Sequence, residues 1–339
     1  MIDKVKINSP VTLLDVARVS GVSPSTVSRI LNSTAKVSDA KRQAVESAIA
    51  ELKFEPNQLA QSLKSGKSMT IGIVVQDIAS PFFSEALRGV DDVLNAQQYA
   101  SVIVSGHWNA QEEADRIRLL IARKIDGLIL LSGHIADEDV LRFSEQRPIV
   151  ATGRNVSSNT VKSVKIDNEM GAILAMRHLI ELGHRHIAFI AGPDNNPDAS
   201  ERLAGYRRAL EEAQLPIEEK LIIEGDLHEA SGLIAINRLF ESQQKFSAVF
   251  AVNDQTAYGA RLSLYRKGIR VPDDMSIIGF DDLPNSLYTT PPLTTVRQPL
   301  YEMGQAAATA LINIINGKPT DMDLPPLELV VRETTRRLR

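Results

Sequence analysis

The chain has 339 residues, no cysteine and a formal net charge of −4, with 43% apolar side chains. That length exceeds one ordinary domain and the apolar share can fill a sizeable core, while the lack of cysteine removes disulfides, thiolate metal sites and cysteine nucleophiles together. No apolar run approaches the ~18 residues of a membrane span, and MIDKVKINSP has no apolar stretch of signal-peptide type, so we expect a soluble cytoplasmic protein.

The segment VTLLDVARVSGVSPSTVSRILN, Val11 to Asn32, predicts two short helices around Gly21. Leu13, Val16 and Ala17 recur at helical intervals, and Val22, Val27, Ile30 and Leu31 supply the apolar contacts of the second helix. Ser23 suits an N-cap, and Pro24 suits the first helical position, where its missing N–H costs nothing. With Val27, Ile30 and Leu31 inward, Ser25, Thr26, Ser28, Arg29 and Asn32 lie on or near the exposed side. Small hydroxyls and one arginine, in place of the usual acid and lysine mixture, suit DNA base edges and phosphates. Arg29 is the strongest candidate for a base contact, because its planar fork matches the paired acceptors of guanine. The alternative is an ordinary helical hairpin with a polar face.

A third amphipathic helix follows, capped by Ser38, with Lys41, Val45, Ala48, Ile49 and Leu52 on one face. Next, FEPNQLAQSLKSGKS predicts a short helix opened by Pro56 and Asn57 and closed by Gly66. From Asn57 to Ser65 it is too short to be stable alone, since isolated helices under about 12 residues are marginal in water. Residues 1–68 hold ten Lys and Arg against six Asp and Glu, whereas the remaining 271 hold 28 against 36. The basic part is therefore the part with the DNA-like face, and its affinity for DNA should fall with salt.

After Met69 the pattern changes to short β-branched runs alternating with helical stretches. IGIVV, SVIVS, GLILL and PIVAT form one series; HIAFIAG, LIIEG, AVFAV and MSIIGF form a second. The alternation implies parallel sheets covered by helices on both faces, hence two doubly wound lobes. Ligands of such sheets bind beyond the carboxyl ends of the strands. Those positions hold Asp77, Pro81, Phe82 and Phe83; His107 and Trp108; Gly153 and Arg154; Asp194; Asn253 and Asp254; and Asp281 and Asp282. Aromatic faces together with carboxamides, carboxylates and a planar cation suit a polyhydroxylated ligand. The alanine-rich helix in LYEMGQAAATALINIING packs either on its own sheet or on a partner subunit.

Catalysis has little support. Asp281 and Asp282 are neighbours on an extended segment, point to opposite sides and cannot flank one bond, and one of them is expected to cap a turn. His184 and His186 lack a third ligand at suitable spacing. No phosphate-binding loop, dinucleotide fingerprint or nucleophile elbow occurs. We therefore expect no catalytic residue, metal or cofactor. A transport-type solute-binding protein and a carbohydrate-acting enzyme are the competing classes.

The strings LLDVARVSGVSPSTVSRILN, KVSDAKRQAVESAIAELKFEPNQLAQSL, NDQTAYGA, VPDDMSIIGFDD and PPLTTVRQP resemble LacI/GalR-type bacterial transcription regulators over nearly the whole chain. The resemblance implies an α/β protein: an N-terminal three-helix helix-turn-helix headpiece (1–55) and hinge helix with linker (56–68). Then comes a two-lobed periplasmic-binding-protein-like core of two doubly wound parallel sheets, with one lobe from 69–165 and 296–324 and the other from 166–295 and 325–339. It implies operator DNA as partner, read by Thr12, Ser23, Pro24, Ser25, Thr26, Ser28, Arg29, Asn32 and Lys36. Asn57 and Ala60 would lie in the minor groove beside Leu63, which would wedge into a base step. It implies an effector, a sugar or sugar phosphate, in the cleft between the lobes, with Arg202, Asn253, Asp281, Phe82 and Phe83 foremost and Asp77, Trp108 and Arg154 behind them. Leu227 and Leu300 stand where some sugar-responsive members have an aromatic, so stacking must come mainly from the first lobe. A homodimer is expected, since a pseudo-palindrome needs two copies and no leucine heptads follow. Most sugar regulators of this kind are induced; the purine-responsive branch is corepressed.

Overall fold

The computed structural model describes residues 11–31, 37–54 and 66–338. The chain forms two compact units, Met1–Ser68 and Met69–Arg339.

In the first unit, helix α1 (Leu13–Ser20) starts at Thr12, whose backbone N–H and hydroxyl both donate to Asp15 Oδ2, at 3.0 and 2.7 Å. It stops at Gly21, whose φ of 67° is open to glycine at little cost. Helix α2 (Pro24–Leu31) opens with the Ser23 carbonyl and hydroxyl both accepting from the Thr26 amide, at 2.9 and 3.4 Å. Ser38 occupies the N-cap position of α3 (Asp39–Leu52), but its hydroxyl makes no cap bond. Val16, Ala17, Val27, Val45, Ala48 and Phe54 form the buried core, with Leu13, Val22, Ile30, Leu31, Ile49 and Leu52 packed around it. Lys41, expected on the inner face of α3, is exposed. A core this small offers an ammonium no partner, and Phe54 supplies apolar bulk instead.

In the second unit, one parallel sheet has the order β2-β1-β3-β4-β5, from β1 (Thr70–Val75), β2 (Ala100–Ser105), β3 (Gly127–Leu130), β4 (Ile149–Thr152) and β5 (Val161–Val164). Its helices are α4 (Pro81–Ala96), α5 (Ala110–Ala122) and α6 (Asp137–Ser144). The second series supplies α7 (Asn168–Glu181), β6 (Ile187–Ala191), α8 (Pro197–Glu212), β7 (Ile222–Glu224), α9 (Glu229–Glu241), β8 (Ala248–Ala251), α10 (Asp254–Arg266), β9 (Ser276–Asp281), α11 (Asn285–Tyr288) and β10 (Thr294–Arg297). After β10 the chain returns to the first lobe as α12 (Leu300–Ile315), then adds β11 (Glu328–Val330) to the second sheet. That sheet has the order β11-β10-β9-β8-β6-β7 and is parallel except for the antiparallel edge strand β11. The crossing falls after Arg297, slightly beyond the expected division at 295/296.

Each sheet is covered on both faces, one face by the α4 and α12 cluster or the α7 and α8 cluster, the other by the α5 and α6 or α9 and α10 cluster. The alanine-rich stripe of α12 is used inside its own lobe: Ala307, Ala308, Ala310 and Leu311 are buried, and α12 lies directly on α4. Gly304 makes this approach possible, because a Cβ there would stand 2.0 Å from the Ala86 carbonyl oxygen. His184 is buried with both ring nitrogens engaged, Nδ1 by Ser247 Oγ at 2.8 Å and Nε2 by Ser276 Oγ at 3.0 Å, while His186 pairs with Glu218. Among the described residues no group of three or more His, Asp or Glu could hold a metal, and no helix is long and apolar enough to cross a membrane.

Candidate functional site

On α2, Ser23, Pro24, Ser25 and Arg29 are exposed and Thr26 and Ser28 half-buried. The hydroxyls of Ser25 and Thr26 lie 3.1 and 2.9 Å from that of Ser23, a compact polar cluster at the helix start. Thr12 is exposed at the start of α1, with its hydroxyl turned to Asp15. Asn32, Lys36, Asn57, Ala60 and Leu63 lie outside the described residues, as does most of the hinge.

Between the lobes of the second unit lies a cavity of about 170 Å3, room for a small molecule rather than a peptide. Its two walls differ in chemistry. The first lobe contributes Asp77, Ser80, Phe82, Phe83, Trp108, Ser132 and His134; the second contributes Asn195, Asn196, Asp198, Arg202, Asp226, Leu227, His228, Asn253, Gln255 and Asp281. Every phenylalanine and tryptophan ring at the cavity therefore belongs to the first lobe, while the second contributes the imidazole of His228. Trp108 packs its ring 6.3 Å from Phe83 and 5.3 Å from His134. Two buried side chains hold these loops. Gln76 accepts from the Trp108 amide at 3.0 Å and donates to the Ser132 carbonyl. Glu113 accepts from the amides of His134 and Ile135 at 2.8 and 3.1 Å, and burial raises its pKa.

On the opposite wall, Arg202 is 5% exposed. Its Nε donates to Asn168 Oδ1 at 2.9 Å and its Nη1 to the Val252 carbonyl at 2.7 Å, with Asp281 Oδ1 at 3.4 Å and the Phe280 ring 3.9 Å beneath it. Asn168 in turn donates to Asp198 at 2.9 Å, and Gln298 donates to Asp281 at 2.6 Å. Burial pushes the carboxyls of Asp198 and Asp281 above the ordinary range, and the Arg202 charge pulls both back. Asn253 caps α10 through the Thr256 amide and fixes the Leu227 carbonyl, both at 2.9 Å. Across the cleft the Ser80 hydroxyl donates to Gln255 Oε1 at 3.2 Å.

Of the cavity residues expected from sequence, Asp77, Phe82, Phe83, Trp108, Arg202, Asn253 and Asp281 meet at this one place. Phe83 is only 2% exposed and belongs mainly to the first lobe's core. Arg154 is not in the lining; its guanidinium is bound by the carbonyls of Ile135 and Gly133 and by Asp137. Leu227 lines the cavity, whereas Leu300 is buried in the first lobe's core. Asp282 turns away to Arg297 and Arg332, at 2.8 and 2.6 Å. Missed residues include Asp198, Asp226, His228 and Gln255 in the lining, and Gln76, Glu113, Asn168 and Gln298 behind it. Gln76, the first residue after IGIVV, and Asp226, the first after LIIEG, lay where the strand-end rule looks.

The family model for periplasmic binding proteins and the sugar binding domain of the LacI family matches residues 68–331, and that for bacterial regulatory proteins of the lacI family matches residues 12–57. The chain belongs to the LacI family. Catabolite control protein A of Priestia megaterium is 34% identical over 330 residues, 96% of this chain and 99% of that protein. The transcriptional repressor PurR of Vibrio atlanticus is 34% identical over 332 residues with the same coverage. The lac repressor dimer bound to operator and the anti-inducer ONPF superposes with a TM-score of 0.86 at 32% identity, covering 97% of this chain and 100% of that one. Like other LacI-family chains, this one is a DNA-binding transcription repressor with a sugar-binding-type core, and these relatives are regulators rather than enzymes.

Proposed function

We propose that this LacI-family repressor binds a pseudo-palindromic operator as a homodimer in the cytoplasm and controls carbohydrate utilisation genes, and that a small sugar or sugar phosphate held between the lobes releases it. The observation that carries the effector assignment is the asymmetry of the cavity: phenylalanine and tryptophan on one wall, a wall of mostly hydrogen-bonding groups opposite. A sugar presents a C–H face and a rim of hydroxyls, which matches one stacking wall and one polar wall. A flat base sandwiched from both sides finds no phenylalanine, tyrosine or tryptophan on the second lobe's wall, and only the imidazole of His228. On the DNA side, α2 enters the major groove with Arg29 at a base edge and the Ser23, Ser25 and Thr26 hydroxyls at phosphates.

Coupling runs through residues 56–68: cleft closure sets whether the two hinges meet at the operator centre and insert Leu63. Identity of 34% to PurR over the full length favours a second assignment, corepression by a purine. Thermal-shift screening of sugars, sugar phosphates and purines separates the two, because a ligand of the folded state raises the melting temperature. We expect the shift from a sugar; shifts from purines alone would transfer the site to the second assignment.

A further inference from the structure

We propose that the cleft is a charge filter, in which Asp77, Asp198, Asp226 and Asp281 admit an uncharged polyhydroxylated ligand and reject its phosphate ester. This rests on the assignment of the cleft to a small hydroxyl-rich ligand and narrows it. Apart from the imidazoles of His134 and His228, the lining's ionisable groups are four carboxylates and one arginine. Two of that arginine's three nitrogens, Nε and Nη1, are hydrogen bonded within the protein, and Asp281 stands 3.4 Å from Nη1 as its counter-charge. Lys165, near enough to Asp198 to lower its pKa, is bound by Glu201.

Helix N-termini, the usual alternative for a phosphate, open onto the cavity from α4, α8, α9 and α10; side chains cap α8 and α10, while α4 and α9 have no side-chain cap but a carboxylate in the loop just ahead of each. Asn196 accepts from the Ala199 amide and Asn253 from the Thr256 amide, each at 2.9 Å. Asp77 accepts from the Ala79 amide at 2.8 Å and Asp226 from the His228 amide at 3.0 Å, both in the loops that precede these helices. A phosphate ester would add a charge of about −1.5 to −2 to this already negative cleft. Sugar hydroxyls, by contrast, are donors, and an ionised carboxylate only accepts. The cost of negative charge here is visible in Asp198 and Asp281, whose carboxyls burial already holds high.

The test is calorimetry on the full-length protein with matched pairs: hexoses and pentoses against their phosphate esters, and nucleosides against their 5′-monophosphates. In whichever series binds, the uncharged member is expected to bind about tenfold tighter or more. The double variant Asp77→Asn with Asp226→Asn keeps both carboxamide Oδ1 acceptors while removing two charges, and should narrow that ratio about threefold or more. The wild-type ratio needs no substitution, so a poorly folding variant leaves the proposal exposed to refutation. Equal or tighter binding of the phosphate esters overturns the filter and leaves the sugar assignment standing. Nucleosides binding in place of sugars overturns the sugar assignment and leaves the filter standing. Binding of no uncharged member in either series overturns both.

Discussion

Arg29 and Arg202 show how differently the two functional regions are built. Arg29 sits exposed on α2, bound to no described residue, while Arg202 is 5% exposed and held by Asn168, Val252 and Asp281. The headpiece keeps Arg29, proposed to meet a base, outside its core of Val16, Ala17, Val27, Val45, Ala48 and Phe54. Arg29 can therefore change at little cost to the fold, whereas Thr12 and Ser23 also cap helices. In the cleft the groups that face the ligand are also part of the structure. Function and stability should therefore separate at Arg29 and move together in the cleft.

The largest expected effect is at Arg202. Arg202→Ala leaves the buried Asp281 without its counter-charge, which should cost about 3–5 kcal/mol of stability as well as ligand binding. Urea denaturation and calorimetry read the two losses; a variant as stable as wild type would break the contrast. Arg29→Ala should weaken specific DNA binding by about 1–3 kcal/mol while changing stability by no more than about 0.5 kcal/mol. Equal loss on random and cognate duplexes would reduce Arg29 to a phosphate contact.

Trp108 is intermediate, half-buried against Phe83 and His134. Trp108→Ala should weaken ligand binding by about 1–2 kcal/mol through lost stacking, with melting of the ligand-free protein little altered. A large drop in that melting temperature would make Trp108 a structural residue like Arg202.

The smallest effect concerns acid. Residues 1–68 contain no histidine, whereas in the core burial lowers the pKa of His178 and His184. A histidine whose folded pKa lies below its unfolded value contributes stability above the unfolded value, near 6.5, and loses it as the pH falls toward the folded one. Wild type should thus lose more stability between pH 7.5 and 5.5 than His184→Gln does, measured by urea midpoints at each pH. Equal losses would remove His184 from the acid response.

The same contrast explains what the sequence disclosed. The headpiece was legible because its information is local: helical spacing, Gly21, Ser23 and Pro24 fix which side chains face outward. Strand runs and their helices were legible for the same reason, although β5, β10 and β11 carry too little apolar pattern to stand out. The cleft was only half legible. Strand ends pointed to Asp77, Trp108, Asn253 and Asp281 and equally offered Asp226, absent from the expected set, but Asp198 comes from a helix position that no local rule selects. Arg154 shows the reverse failure, since a strand-end position says where a residue starts and not which carbonyls capture it.

The linkage between cleft and headpiece is tested most directly by titrating full-length protein onto a fluorescent cognate duplex, selected by the protein itself, with and without saturating ligand. Occupied protein should bind that duplex about 5- to 150-fold more weakly, as a coupling of about 1–3 kcal/mol requires. An isotherm that does not move while calorimetry shows the cleft filled would contradict it, and one that moves to tighter binding would contradict induction.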